Sequence, residues 1–133
     1  MNVYNFISLK YVLPVGGENL DAMEGDLRLG KAEGTETFVR IGGEENEPPP
    51  VGEVVYKDDK GVICRRWNWR EADRTKLTEN TTNAIIVVDG LSEIGNKIIE
   101  DATNELATLI GTYCGGNIRV EFLSKEKSEM IIH

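Results

Sequence analysis

The chain has little of the chemistry that most enzymes and metal proteins use. Its 133 residues include one histidine, His133, and two cysteines, Cys64 and Cys114. A Ser-His-Asp or Cys-His arrangement would have to use that terminal histidine. The sequence has no C-x-x-C, no histidine pair and no glycine-rich nucleotide motif, so it predicts neither a zinc site nor a nucleotide-binding fold. We expect no metal and no cofactor, and structural roles for both cysteines.

Long apolar runs are also missing. No stretch approaches the ~20 apolar residues of a membrane span. The first residues, MNVYNFISLKYVLP, have no basic start and no small-residue cleavage site, unlike a secretory signal. Nothing indicates an oxidising compartment in which the cysteines would pair. We therefore expect a single cytoplasmic domain, residues 1–133, that does not associate with membranes.

Positive charge is scarce and unevenly placed. The chain has 15 basic and 23 acidic residues, a net charge of -8. Between Val62 and Leu77, however, five cations accompany two acids, a local charge of +3. The sequence therefore does not predict a broad basic surface that follows a phosphate backbone, and any bound anion should be held locally.

Hydrophobic periodicity predicts an α+β domain with a largely antiparallel sheet. A first helix is expected over residues 2–12, followed by a loop with a helical turn at Leu20–Met23. An apolar stripe predicts one long C-terminal helix at about 93–114, capped by Ser92. The proline-rich segment EENEPPPVGE reads as a surface connector. Strands are predicted around Leu27–Leu29, Thr37–Ile41, Val54–Tyr56, Val62–Trp67, the buried run AIIVV and the alternating segment NIRVEFL.

The basic stretch CRRWNWR, residues 64–70, is the most distinctive motif. If it is one continuous strand, alternation places Arg66, Asn68 and Arg70 on the same face as Cys64. Two arginines and an amide suit a carboxylate, a phosphate or a base edge, so these three residues are candidate ligand-binding groups. The opposite face would carry Arg65, Trp67, Trp69 and Glu71, with the tryptophans supporting the site.

A structural interpretation of the same stretch stays open. The tryptophans would then belong to the core, and the arginines would pair with local acids such as Glu71 and Asp73. Solvent exposure of the arginines distinguishes the two interpretations.

The segment GEVVYKDDKGVICRRWNWREADRTKLTENTTNAIIVVDGL resembles free-standing B3/B4 domain proteins. These are single-domain relatives of the B3/B4 module in the β subunit of phenylalanyl-tRNA synthetase. The motif C-R-R-W-N-W-R-[DE], followed by R-T-K-[IL]-T-E, carries the resemblance. The N-terminal NVYNFISLKYVLPVGGENLDAM is similar to a family pattern in which N-V-x-N opens a helix. The likeness covers roughly residues 2–123.

The resemblance implies a sheet-rich α+β fold and a function in aminoacyl-tRNA recognition or editing. Arg66, Asn68 and Arg70 would bind the terminal adenosine phosphate or the amino-acid carbonyl. The family's histidine falls on Gly16, and the acid nearest the family's acidic site residue is Asp89. Because preorganised polar groups suffice to polarise an activated ester, Asn5, Thr78 or Asp89 are the candidates that would orient a water.

Three functions therefore remain open. The chain is a deacylase that edits mischarged aminoacyl-tRNA, or a module that binds a tRNA end, an amino acid or a nucleotide without chemistry, or an interaction module whose Arg/Trp stretch is structural. Family members have further sequence before the N-V-x-N helix. We therefore expect either a short form of the domain or a fragment that pairs with a second chain, as a homodimer or with another partner.

Overall fold

The protein is described by a computed structural model over residues 3–66, 70–90, 95–124 and 127–130. In that part of the chain, helix α1 (Val3–Tyr11) lies near the N-terminus and helix α2 (Asn96–Tyr113) follows the last strand. Six strands lie between them: β1 (Val15–Asn19), β2 (Arg28–Lys31), β3 (Val54–Lys57), β4 (Val62–Arg65), β5 (Arg70–Glu71) and β6 (Ala84–Val88). The predicted α+β class is confirmed.

The strands form two antiparallel sheets. One contains β1 and β6, with Val15 opposite Val88. The other has the order β2-β3-β4-β5. The turn of the β3–β4 hairpin lies between the strands predicted around Val54–Tyr56 and Val62–Trp67. There the Asp58 carboxylate accepts the backbone N–H groups of Lys60 and Gly61 at 2.9 and 3.1 Å.

Each sheet has its own hydrophobic core. The first lies between the two helices and the β1–β6 sheet: Ile7, Leu13, Val15, Ala102 and Leu106. Helix α2 approaches this sheet closely at Gly90, where an added Cβ would lie 2.1 Å from Ile99 Cδ1. The second core lies between the four-stranded sheet and the long β2–β3 connection: Ala32, Phe38, Val55, Val62 and Ala72.

Two early segments differ from the prediction. Residues 15–19, expected to be a loop, are strand β1, because β6 provides a pairing edge; the helical turn that follows is present at Leu20–Ala22. Residues 37–41, expected to be a strand, form only an isolated bridge between Arg40 and Ala72. Backbone bonds tie this segment to several partners: Thr37 O accepts from Val62, and Phe38 O from Glu47. A segment whose successive residues bond different partners cannot form a regular ladder.

The predicted strand through the basic stretch is shorter than expected. β4 ends at Arg65, and Arg66 has φ +45°, in the left-handed region that non-glycine residues seldom adopt. The chain then returns as β5. The prediction of one continuous strand is therefore wrong, while residues 67–69 lie outside the described residues.

The C-terminal predictions have mixed outcomes. Helix α2 begins at Asn96; Ser92 and Glu93, the predicted cap and start, lie outside the described residues. Gly115 follows its end with φ +72°, as expected for a helix-terminating glycine. The alternating segment with Ile118, Val120 and Phe122 forms no strand in its described residues, and these side chains are exposed. β6 is half-buried rather than buried.

Candidate functional site

Two neighbouring arginines, Arg65 and Arg66, share one carboxylate but differ in burial. Arg65 is 8 % exposed, binds Glu53 through Nε at 2.7 Å and Nη2 at 2.9 Å, and lies 5.4 Å over the Phe38 ring. This hydrogen-bonded pairing with Arg65 lowers the pKa of Glu53. The Arg66 side chain also contacts Glu53, at 3.0 Å, yet is 57 % exposed. Arg65 therefore stabilises the fold, and Arg66 stays accessible.

The register places Arg70 opposite Arg65. Residues directly opposite in an antiparallel pair share a face of the sheet. Arg70 therefore lies on the Arg65 face, not on a common strand face with Arg66 as predicted. Asn68, Trp67 and Trp69, the remaining predicted site residues, lie outside the described residues.

An open depression of about 220 Å³ lies beside Arg70 and is lined by Arg40, Ile41, Arg70 and Glu71. Arg40 comes from the β2–β3 connection, and its Nε lies 3.6 Å from Glu47. Two arginines thus line one depression, and a guanidinium group suits a phosphate or a carboxylate, which accept bidentate hydrogen bonds. The structure therefore adds Arg40, thirty positions away in sequence, to the predicted Arg70.

The remaining cations of the basic stretch have acid partners. Arg74 binds Asp58 at 2.5 and 2.9 Å, and Lys76 binds Asp73 at 2.8 Å. Burial tends to raise the pKa of Asp58, but Arg74 and three backbone N–H groups outweigh it and lower that pKa to about 2. The predicted pairing of the arginines with Glu71 and Asp73 is not what these contacts show: Arg65 and Arg66 bind Glu53, and Arg74 binds Asp58, at the two ends of β3.

The opposite face of the four-stranded sheet carries a row of polar groups. Tyr56 lies opposite Cys64, and Cys64 opposite Glu71, so these side chains cross β3, β4 and β5 on one face. The Tyr56 hydroxyl donates a hydrogen bond to Asp89, just after β6. The backbone N–H of Gly17 in β1 lies close to the Glu71 carboxylate. This face is therefore directed toward the β1–β6 sheet.

Asp89 is the predicted catalytic candidate that the structure buries. It is 8 % exposed, and its backbone N–H donates to Pro14 O. Burial raises the pKa of Asp89, and the hydrogen bond from Tyr56 opposes that shift. Burial, with the charge of Asp89, raises the pKa of Tyr56. The other two candidates are exposed: Asn5 on α1, and Thr78 in a loop where its N–H binds Thr81 Oγ1.

A second buried acid, Glu18 in β1, is 6 % exposed and lies beside Glu71 and Thr75. Burial and the nearby Glu71 raise the pKa of Glu18 to about 9. Burial also raises the pKa of Glu71, which the Gly17 N–H opposes. Sequence reasoning missed Glu18 because VGGEN reads as a loop; a charged residue between two glycines and an asparagine carries no strand pattern.

The described residues contain no group of three or more His, Cys, Asp or Glu side chains arranged to hold a metal ion. In the same part of the chain, no helix is long and apolar enough to cross a membrane.

The B3/4 domain family model matches residues 1–115. The chain therefore belongs to the B3/4 domain family, which confirms the resemblance carried by the arginine-tryptophan motif. This domain is found in the β subunit of phenylalanyl-tRNA synthetase, so membership indicates a tRNA-related function. No curated protein matches the chain.

Proposed function

We propose that the protein recognises the charged end of tRNA, with the depression beside β5 as its anion-binding site. The observation that carries this proposal is the pair Arg40 and Arg70 at one depression of an otherwise acidic protein. A phosphate of the terminal nucleotide is the anion that two arginines hold well. The tRNA-related function of the family supports the same ligand.

Other residues of the basic stretch complete the proposed site. Arg66 is accessible just after the end of β4, so its guanidinium would contribute a further positive charge to the proposed site. Asn68 would contribute an amide, and Trp67 and Trp69 would stack on the terminal adenine. These three roles follow from the sequence alone. A function on charged tRNA also fits the cytoplasmic localisation that we propose, and pairing with a second chain remains compatible with it.

Binding of a non-hydrolysable charged end tests the proposal. The probe is a 3′-amide analogue of an aminoacylated CCA trinucleotide, titrated into wild-type protein and into Arg40→Ala and Arg70→Ala variants. We expect each variant to bind about ten-fold more weakly, because a hydrogen bond to a charged group contributes ~1.5–3 kcal/mol. Melting temperatures should remain near wild type, since Arg40 is half exposed.

Arg28→Ala is the matched control. Arg28 is also a surface arginine with an acidic partner, Asp59 at 2.9 Å, but it belongs to β2 at the other end of the sheet. Wild-type affinity in Arg40→Ala and Arg70→Ala would show that the anion binds elsewhere or that no tRNA end is recognised.

Hydrolytic editing of mischarged aminoacyl-tRNA is the second candidate function, favoured by the buried Asp89–Tyr56 pair. Tyr56 and Glu71 share a face two strands apart, or roughly 10 Å at ~4.8 Å per strand. An ester whose phosphate is held by the arginines, and whose acyl end passes round β5 to the Glu71 face, would lie on the same face as Tyr56. The Asp89 carboxylate, which is bound to Tyr56, would then orient a water.

Deacylation of a panel of mischarged tRNAs measures this activity. Asp89→Asn should lower the rate at least ten-fold while the affinity for the amide analogue is kept. Binding without turnover by the wild-type protein would leave non-catalytic recognition as the function.

A further inference from the structure

Two buried polar atoms near β5 lack hydrogen bonds within the described part of the chain: Glu18 Oε2 and Thr75 Oγ1. Glu18 is 6 % exposed and Thr75 is fully buried. The Thr75 hydroxyl lies close enough to Glu18 to lower its pKa, yet neither buried oxygen has a hydrogen-bond partner of regular geometry among the described residues. An unpaired buried polar group costs on the order of 1–3 kcal/mol. Two such atoms facing each other point to a ligand that bonds both.

The charged groups around Glu18 are one acid and one cation. Glu71 approaches from β5 and disfavours a second negative charge. Arg74, from the turn after β5, acts on Glu18 only through its charge, because its guanidinium makes two hydrogen bonds to Asp58. Within residues 3–66, 70–90, 95–124 and 127–130, no cation therefore binds Glu18 directly.

We infer that Glu18, Glu71 and Thr75 form a binding site for a primary ammonium group of the aminoacyl ligand. An ammonium has three donors and no acceptor, and the two carboxylates and the hydroxyl supply three acceptors. A metal is the poorer match, since the described residues contain no group of three acidic, His or Cys ligands. This inference rests on the proposed function, because it assigns a part of that ligand.

The position of this ammonium site relative to the arginines fits a ligand with both charges. Glu71 follows Arg70 directly in the two-residue strand β5, which is the edge of its sheet. Adjacent strand residues point to opposite faces, ~3.3 Å apart along the chain. Anion-binding and ammonium-binding groups thus lie on the two sides of one edge strand. The amine of an aminoacyl ester is separated from the terminal phosphate by the ribose, which would span that edge.

Binding at this site should release a proton. With its pKa raised to about 9, Glu18 is protonated at neutral pH in the free protein. An incoming ammonium favours the charged carboxylate, so the Glu18 proton leaves to solvent. The ammonium group could be the α-amine or a side-chain amine of the aminoacyl ligand, because both have the same chemistry. Analogues of the ligand that carry only one of these amines distinguish them.

The experiment titrates 3′-amide analogues of alanyl- and lysyl-adenosine 5′-phosphate, each with a free or an acetylated α-amine, at pH 6.5. Calorimetry in buffers of different ionisation enthalpy counts the released protons. We expect the free alanyl analogue to bind about ten-fold more tightly than its acetylated form and to release a proton. If the acetylated lysyl analogue alone keeps tight binding and release, the site reads the side-chain amine.

Variants assign the effect to these residues. Glu18→Gln should abolish proton release and the preference for the free amine, Thr75→Val should reduce the preference, and Thr75→Ser should retain it. Glu100→Gln, an exposed acid on α2, should behave as wild type.

Two results overturn the inference and are distinguishable. Equal binding of free and acetylated analogues without proton release removes the ammonium site but leaves the proposed function, provided that Arg70→Ala still weakens binding. No binding of any analogue contradicts both.

Discussion

At the residue scale, burial decides what each charged side chain does. Arg65 and Arg66 bind the same Glu53 carboxylate, yet only Arg65 is removed from water. Removing one partner of a buried ion pair leaves an uncompensated charge and costs ~3–5 kcal/mol, whereas exposed pairs contribute ~0–1 kcal/mol. We therefore predict that Arg65→Ala loses at least ~3 kcal/mol of unfolding free energy and Arg66→Ala less than ~1 kcal/mol. Urea denaturation measures both; similar losses would contradict this division of roles.

Glu18 makes stability depend on pH in a direction opposite to that of most paired carboxylates. Its pKa in the folded protein, about 9, lies above the ordinary 4.5. Folding therefore favours the protonated carboxyl group. Its contribution to the free energy of unfolding is complete below about pH 4.5 and is lost as the pH rises toward 9. Glu18→Gln keeps the shape without the charge. We predict a gain of up to about 5 kcal/mol at pH 8 and little change at pH 4, because each unit of pKa corresponds to ~1.36 kcal/mol.

Thermal unfolding of wild type and Glu18→Gln between pH 4 and 9 measures this difference. Glu100→Gln controls for the loss of one negative charge in an acidic protein. A stability difference that is independent of pH would show that Glu18 is ionised in the folded state.

At the element scale, sequence periodicity correctly predicted those helices and strands whose local apolar pattern agrees with their packing and strand pairing in the structure. Both helices, the β3–β4 hairpin and β6 follow from apolar spacing and turn residues. Residues 37–41 and 118–122 have the same alternation, but the first bonds several segments and the second has no partner strand in its described residues. Alternation reports a preference for extended backbone, while a strand also needs an edge to pair with.

The candidate site was predictable only in part for the same reason. Arg70 and Asp89 follow from the motif and from the end of an apolar strand. Arg40, Glu18 and Thr75 reach the site through long-range packing, which a local pattern does not record. The sequence also predicted one strand face shared by Arg66 and Arg70, whereas Arg66 has a positive φ and follows the end of β4. This was not predictable, because a positive φ at a non-glycine residue has no signature in the sequence.

Packing of α2 against the end of β6 provides a prediction for the elements that hold Asp89. An added Cβ at Gly90 would lie 2.1 Å from Ile99 Cδ1 and 2.7 Å from its Cγ1. We predict that Gly90→Ala costs ~1–3 kcal/mol, the range for overpacking. Gly30→Ala in β2, where no atom lies within 4 Å, is the matched control and should be near neutral apart from backbone effects.

A double-mutant cycle identifies the cause of that cost. Ile99→Ala removes both clashing atoms, so Gly90→Ala should cost less in the Ile99→Ala background than in wild type. Additive costs would mean that the backbone at Gly90, rather than its contact with α2, requires glycine.

At the scale of the whole molecule, net charge opposes binding of the nucleic-acid ligand that we propose for the depression beside β5. The chain carries -8, and most of its positive charges already have acidic partners across the sheets or along α2. A phosphate backbone that ran over this surface would meet repulsion. This charge distribution therefore supports the proposed contact with the end of a tRNA rather than with its body.

The salt dependence of the binding constant gives a quantitative test of the proposed contact with the tRNA end alone. For single strands, log K falls with log salt at ~0.7 per neutralised phosphate, so the contacts of Arg40 and Arg70 give a slope of about -1.4 at most. We predict slopes between about -0.7, for one phosphate held by both arginines, and about -1.4, for two, with an amide-linked aminoacyl-CCA trinucleotide in low to moderate salt. Whole tRNA carrying the same amide-linked end should bind with the same slope and within about three-fold of the same affinity, because further phosphates meet acidic surface. Arg70→Ala should make the trinucleotide slope shallower by up to about 0.7. A slope steeper than about -4 for whole tRNA would instead require a basic surface, formed by the assembled protein or by a partner chain.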